Sequence, residues 1–275
     1  MRILISNDDG IFSCGIQTLT KRLSEDPEYQ VYVVAPDRER SATGHALTLH
    51  DPLRVEEVTL PGNAKGAWST TGTPSDCVKF GISALLPEMP DLIVSGINHG
   101  PNLANEILYS GTVSAAMEGA FLKIPSIAVS LAGYGYKDFS VAAEFIARLL
   151  KVLPAAKLPG KTLLNVNVPA IPAGEIKGVA ITELGVRLYN DHFDKRMDPR
   201  GRVYYWLSGH AVEESREEGT DTWAILNQMI SITPIAFNMT NRETLKTLTD
   251  CQSIFGLLEG FVHAISEPQS LKERP

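Results

Sequence analysis

The chain has 275 residues, 44% hydrophobic and 21% charged, with a formal net charge of −7. That length fits one large domain, or one domain with a sizeable appendage, and the composition is ordinary for a soluble globular protein. The negative balance argues against a nucleic-acid polymer as partner, and no apolar run approaches the roughly 18 residues a membrane span needs.

The N-terminal "MRILISNDDG" lacks the longer apolar stretch and small-residue cleavage site of a signal peptide, so a cytoplasmic, enzyme-sized protein is expected. Within it, "RILIS" (2–6) reads as a buried strand, and "GIQTLTKRL" (15–23) as an amphipathic helix. "VYVVAP" (31–36) is a second strand, followed by an extended threonine-rich stretch over 43–58. "TPSDCVKFGISALL" (73–86) carries a helix start, with Thr73 as N-cap, Pro74 at the first helical position and Asp76 in the first turn. "PDLIVSGI" (90–97) and "IPSIAVSL" (124–131) are strands, with a helix at "VSAAMEGAFL" (113–122) between them. A helix at "VAAEFIARLLKVL" (141–153) and "KTLLNVNVP" (161–169) close the series. Strands apolar throughout, alternating with helices, predict a mostly parallel sheet covered on both faces, a doubly wound α/β core. The segment over 185–220 has no helical period and alternates charges with aromatics, which fits a hairpin arm or a solvated loop. From 241 to 275 the chain reads as a partly helical, polar tail. Cys14, Cys77 and Cys251 are widely separated, which fits reduced thiols and gives no zinc ligand set.

Ligands in open α/β sheets bind beyond the carboxyl ends of the strands, and the unusual residues fall there. Asp8 and Asp9 follow the first strand, although a turn with Gly10 needs only one of them. Ser41 and His45 lie in the loop after the second strand, and Asn98, His99 and Asn102 follow the strand at 90–97. Asp8, Asp9, Ser41 and Asn98 offer only oxygen, a set that suits a hard cation, Mg²⁺, Mn²⁺ or Ca²⁺, better than zinc. Ser110, Gly111, Thr112 and Ser114 lead into a helix whose unpaired N–H groups make an anion site. A cation beside a phosphate cradle implies metal-assisted hydrolysis of a phosphate ester. Asp8 or Asp9 is then the proton acceptor, with His45 and His99 as accessory candidates. The dinucleotide fingerprint, the P-loop and the esterase nucleophile elbow are all absent from the sequence.

"ILISNDDGI", "VVAPDRERSATGHALT", "TGTPSDCV", "SGINHGPN", "YSGTVSAAMEG" and "TDTWAILNQMISITPI" together resemble the SurE family of survival-protein 5′-nucleotidases, in order from residue 3 to about 235. The resemblance implies a Rossmann-like three-layer core. It also implies a divalent-metal-dependent phosphatase acting on nucleoside 5′-monophosphates, in some members on 3′-nucleotides or short polyphosphate as well. On this resemblance one cation per subunit falls on Asp8, Asp9, Ser41 and Asn98, and the phosphate on Ser110, Gly111, Thr112 and Ser114 with Asn102 close by. It implies a homodimer or homotetramer and favours the arm reading. The chain then divides into a core over 1–184, an arm over 185–220, a return to the core over 221–240 and a tail over 241–275. Many members have Ser-Gly where this chain has Ser41-Ala42, and alanine restricts the backbone beside that ligand. Two other classes of function remain open on sequence: a non-catalytic sensor of nucleotide or phosphate with a structural cation, and an assembly protein acting through arm and tail.

Overall fold

In the computed structural model, which describes residues 1–153, 161–209, 211–214 and 216–251, strand β1 (Arg2–Ser6) is buried on both faces. Successive strand side chains point to opposite faces. Ile3 and Ile5 therefore join one hydrophobic cluster and Leu4 the other. Strand β2 (Gln30–Pro36) divides the same way, with Val31, Val33 and Ala35 on one side and Val34 on the other. Two covered faces explain why these strands read as apolar runs without alternation.

Helix α1 (Cys14–Ser24) links β1 to β2, and the short β3 (Val55–Glu57) precedes β4 (Gly66–Thr70). Helix α2 (Pro74–Phe80) starts with a complete capping box, in which the Thr73 hydroxyl accepts from the Asp76 N–H and the Asp76 carboxylate accepts from the Thr73 N–H. The predicted helix over 73–86 is thus α in its first half, and Gly81–Leu85 continues as a wider π turn. Then come β5 (Leu92–His99), α3 (Gly111–Phe121), β6 (Ser126–Ala132), α4 (Ser140–Val152), β7 (Leu163–Pro169) and β8 (Gly178–Ile181). Four further strands, β9 (Arg187–Tyr189), β10 (His192–Met197), β11 (Val203–Ser208) and β12 (Ala211–Glu214), precede α5 (Asp221–Leu226) and β13 (Met229–Ile235).

The main sheet has the order β3-β4-β2-β1-β5-β6-β7-β13-β8. The six strands from β4 to β7 run parallel, β3 pairs antiparallel at one edge, and β13 and β8 run together but antiparallel to β7 at the other. Ile16, Leu19 and Leu23 of α1 pack with Ile146 and Leu150 of α4 over one face; Cys77 and Val78 of α2 pack with Ala115 of α3 over the other. This is the doubly wound, three-layer α/β fold.

The chain moves outward from β1 to β2 and β4, then crosses back to place β5 on the other side of β1. That reversal makes the β1/β5 boundary a topological switch point, with a crevice beyond the strand ends. Outside the main sheet, β10 and β11 pair antiparallel from His192↔Ser208 to Met197↔Val203, and β9 pairs antiparallel with β12. The chain forms two compact units, Met1–Ile235 and Ala236–Pro275. In the second, α6 (Arg242–Asp250) is capped by the Asn241 side chain, and the tail reading for 252–275 lies outside the described residues.

Candidate metal and phosphate site

Asp8 and Asp9 stand at the carboxyl end of β1, on the switch-point crevice. The Asn7 side chain braces this turn, its amide N–H donating to Gly10 O and Ser13 Oγ, both at 2.9 Å. Asp8 is only 4% exposed. Its Oδ1 accepts from the Thr112 hydroxyl, and its backbone carbonyl accepts from the Arg40 N–H at 2.7 Å. Asp9 is less buried, and its Oδ2 accepts from the His99 N–H at 3.0 Å, which ties the β1 turn to the end of β5.

Burial pushes the Asp8 carboxyl up to about 6, against the pull of the Thr112 hydroxyl, and the neighbouring Asp9 charge adds to the rise. Burial also raises Asp9, opposed by the His99 N–H and reinforced by Glu39. Both carboxylates thus lie where negative charge is unfavourable without a compensating cation.

A cavity of about 490 Å³ opens at this point, lined by Asp8, Asp9, Ser41, Asn98, His99, Asn102 and Ser110, together with Glu39, Ala42, Pro101, Glu106, Tyr109 and Tyr134. The candidate cation donors keep oxygen lone pairs available. The Ser41 hydroxyl donates to Glu39 Oε1 at 2.7 Å, which keeps its lone pairs available. The Asn98 side-chain N–H donates to Gly100 O at 2.9 Å, so its carbonyl oxygen is the end left for a ligand. Two carboxylates, a hydroxyl and an amide oxygen are donors of the kind a hard cation takes.

Ala42 beside Ser41 adopts φ +54°, in the left-handed region where a Cβ is costly. The Ser41-Ala42 departure therefore leaves the turn in place and strains it. The loop is anchored further along, by the Gly44 N–H donating to Tyr109 O at 3.0 Å and by His45. His45 does not line the cavity. Its Nε2 lies 2.7 Å from Glu118 Oε1 and its ring stacks on Phe121 with centroids 5.3 Å apart. Lys79 reaches the other Glu118 oxygen at 3.2 Å. Burial alone would raise Glu118, but the hydrogen bonds from His45 and Lys79 outweigh it and hold the carboxyl below its ordinary value.

The N-terminus of α3 abuts Asp8. A Cβ on Gly111 would lie 2.7 Å from Asp8 Cβ and 2.9 Å from Asp8 Oδ2, so only glycine lets the helix approach this closely. Of the hydroxyls predicted to face phosphate, those of Thr112 and Ser114 donate within the protein. Ser110 caps α3 by accepting from the Val113 N–H, Thr112 donates to Asp8, and Ser114 donates to Ser110 O at 2.7 Å. Of the four, only Ser110 lines the cavity; Gly111, Thr112 and Ser114 lie behind it. Asn102 lines the cavity from a polar network, its side-chain N–H donating to Ser130 Oγ at 2.8 Å and its carbonyl accepting from Asn165 and Asn167. Glu39, Glu106, Tyr109 and Tyr134 had no signal in the sequence. They are scattered along the sequence and meet only through the fold.

The family model for survival protein SurE matches residues 3–191. The 5′-nucleotidase SurE of Thermosynechococcus vestitus is 55% identical over 255 residues, 91% of this chain and 96% of that protein. The 5′-nucleotidase SurE of Synechococcus elongatus is 52% identical over 255 residues, 90% of this chain and 98% of that one. The crystal structure of the SurE protein from Aquifex aeolicus matches with a TM-score of 0.77 at 41% identity, covering 90% of this chain and 98% of that one. With the site at the switch point, the matched motifs and this extent of likeness, the chain belongs to the SurE family.

Proposed function

We propose that this protein is a divalent-metal-dependent 5′-nucleotidase, hydrolysing nucleoside 5′-monophosphates to nucleoside and phosphate. One observation carries the metal dependence. The cavity is lined by the carboxylates of Asp8, Asp9, Glu39 and Glu106, with no Lys or Arg among its lining residues. Glu106 is the one of these paired with a guanidinium, that of Arg187 at 2.8 Å. Such a wall repels a phosphate dianion unless a cation stands between them.

Asp8, Asp9, the Ser41 hydroxyl and the Asn98 amide oxygen are the groups that would hold that cation, with Mg²⁺ or Mn²⁺ the best match and Ca²⁺ also suited. A divalent cation, when bound, polarises a phosphoryl oxygen and acidifies a water. Asp9, the less buried carboxylate, accepts the proton of the attacking water, its other role being fixed by the His99 N–H. Asp8 is held rigidly by Thr112 and Gly111. Asn102 and Ser110, which line the cavity, meet the phosphate at the start of α3, whose dipole favours negative charge, and Ser114 keeps that helix start rigid. The two-stranded arm, with Phe193, Tyr205 and Trp206 exposed, supports a homodimer or homotetramer. The thiols of Cys14 and Cys77, outside any disulfide, support a reducing, cytoplasmic setting.

Phosphate release from AMP tests the reading. Release with Mn²⁺ or Mg²⁺ that EDTA abolishes is the expected result. Nucleotide binding with no release under either metal would replace the enzyme by a sensor.

A further inference from the structure

The candidate phosphate and cation groups account for only part of the cavity lining. Tyr109 and Tyr134 line the same cavity yet are 67% and 81% exposed, and neither hydroxyl has a hydrogen-bond partner among the described residues. Large aromatic rings left in water at the mouth of a polar cavity contribute nothing to the core. Each is nonetheless held in place, Tyr109 by its backbone and Tyr134 by its ring. The Tyr109 carbonyl accepts from the Gly44 N–H and its own N–H donates to Glu106 O at 2.9 Å. Tyr109 immediately precedes Ser110, the cap of α3, so two residues of chain, about 7 Å at most, separate its ring-bearing Cα from Gly111. The Tyr134 ring lies over Gly100, where a Cβ would come within 2.7 Å of it, and meets the His99 ring edge-on with centroids 6.4 Å apart. Both residues are therefore tethered to the segments that carry Asn98, Asn102 and the helix start.

We infer that Tyr109 and Tyr134 form the nucleoside end of the site, taking the base of a nucleoside monophosphate against their ring faces. This rests on the nucleotidase reading above and adds the residues that distinguish a nucleotide from any other phosphate monoester. A cavity of about 490 Å³ falls within the size range of small-molecule sites, and aromatic faces accept any base because every base has a π face. Neither tyrosine touches the cation donors by hydrogen bond, so they set substrate choice and take no part in proton transfer.

The test compares AMP with ribose 5-phosphate, which has the same ester and no base, on the full chain with Mn²⁺. Tyr109→Ala and Tyr134→Ala are each expected to raise KM for AMP about 5- to 100-fold, the size of a lost stacking contact. KM and kcat for ribose 5-phosphate should stay within about twofold, and Tyr134→Phe and Tyr109→Phe, which keep the ring, should retain the wild-type KM for AMP. Equal losses on both substrates would show that the tyrosines merely shape the site, and unchanged AMP kinetics would show that the base binds elsewhere; either overturns the proposal. Wild-type protein inert toward both substrates overturns the nucleotidase reading and this one with it.

Discussion

At the scale of the residue, Asp8 shows the conflict between fold and function. Its folded pKa of about 6 lies above the value of 3.8 expected for the unfolded chain, so the metal-free fold binds this proton more tightly than the unfolded state does. Below about pH 4 both states are protonated and no penalty exists; between about 4 and 6 the penalty grows with pH, and above 6 it is complete. Asp8→Asn should therefore stabilise the metal-free protein by about 1–3 kcal/mol at pH 7.5, a gain that fades toward pH 4. Urea denaturation of both proteins across that range measures it, and an equal difference at every pH would contradict the assignment. The two aspartates, Ser41 and Asn98 were legible as candidate donors because they lie at or beyond the ends of apolar strands. The hydrogen bonds of the hydroxyls were not. Ser110, Thr112 and Ser114 have the composition of a phosphate loop, but a helix start and a buried carboxylate need the same groups, and these local demands bind them first.

The elements that read clearly were those buried on both faces. Strands β1, β2, β5, β6 and β7 and helices α1 and α4 follow apolar patterns that leave little choice of structure. β4 was missed because "GAWST" mixes small, aromatic and hydroxyl side chains, and 185–220 read as an arm or loop without strand bounds because most residues of β10 and β11 are exposed and show no alternation of burial. Helix α3 yields a prediction at this scale. Gly111→Ala would improve helix propensity by about 1 kcal/mol. The added methyl would lie 2.7 Å from Asp8 Cβ, a backbone-anchored atom that has no room to yield. Overpacking of this kind costs about 1–3 kcal/mol and wins. The variant should melt at a lower temperature and bind Mn²⁺ at least about tenfold more weakly, since one carboxylate ligand is pushed aside. Unchanged Mn²⁺ affinity by calorimetry would show that Gly111 does not set the position of Asp8.

At the scale of the whole molecule, strand order is what makes a site of scattered residues. Nothing in the sequence says that β5 lies beside β1, yet the His99 N–H bound to Asp9 depends on it. The arm also belongs to this scale. Tyr205 and Trp206 are 57% and 59% exposed on a two-stranded ladder that, on our reading, packs against another subunit. Light scattering should give the mass of a dimer or tetramer, and the double change Tyr205→Ser with Trp206→Ser should lower that mass or make it concentration-dependent. An assembly indifferent to both changes would remove the arm from the interface. The central claim is that the Asp8–Asp9 pair, bearing a cation at the switch point, hydrolyses nucleoside monophosphates. The most direct test is phosphate release from 5′-mononucleotides with Mn²⁺ by wild type and by Asp9→Asn, with folding checked by circular dichroism. The account predicts metal-dependent release that the variant loses by about two orders of magnitude or more while remaining folded. Release by Asp9→Asn at the wild-type rate would contradict it.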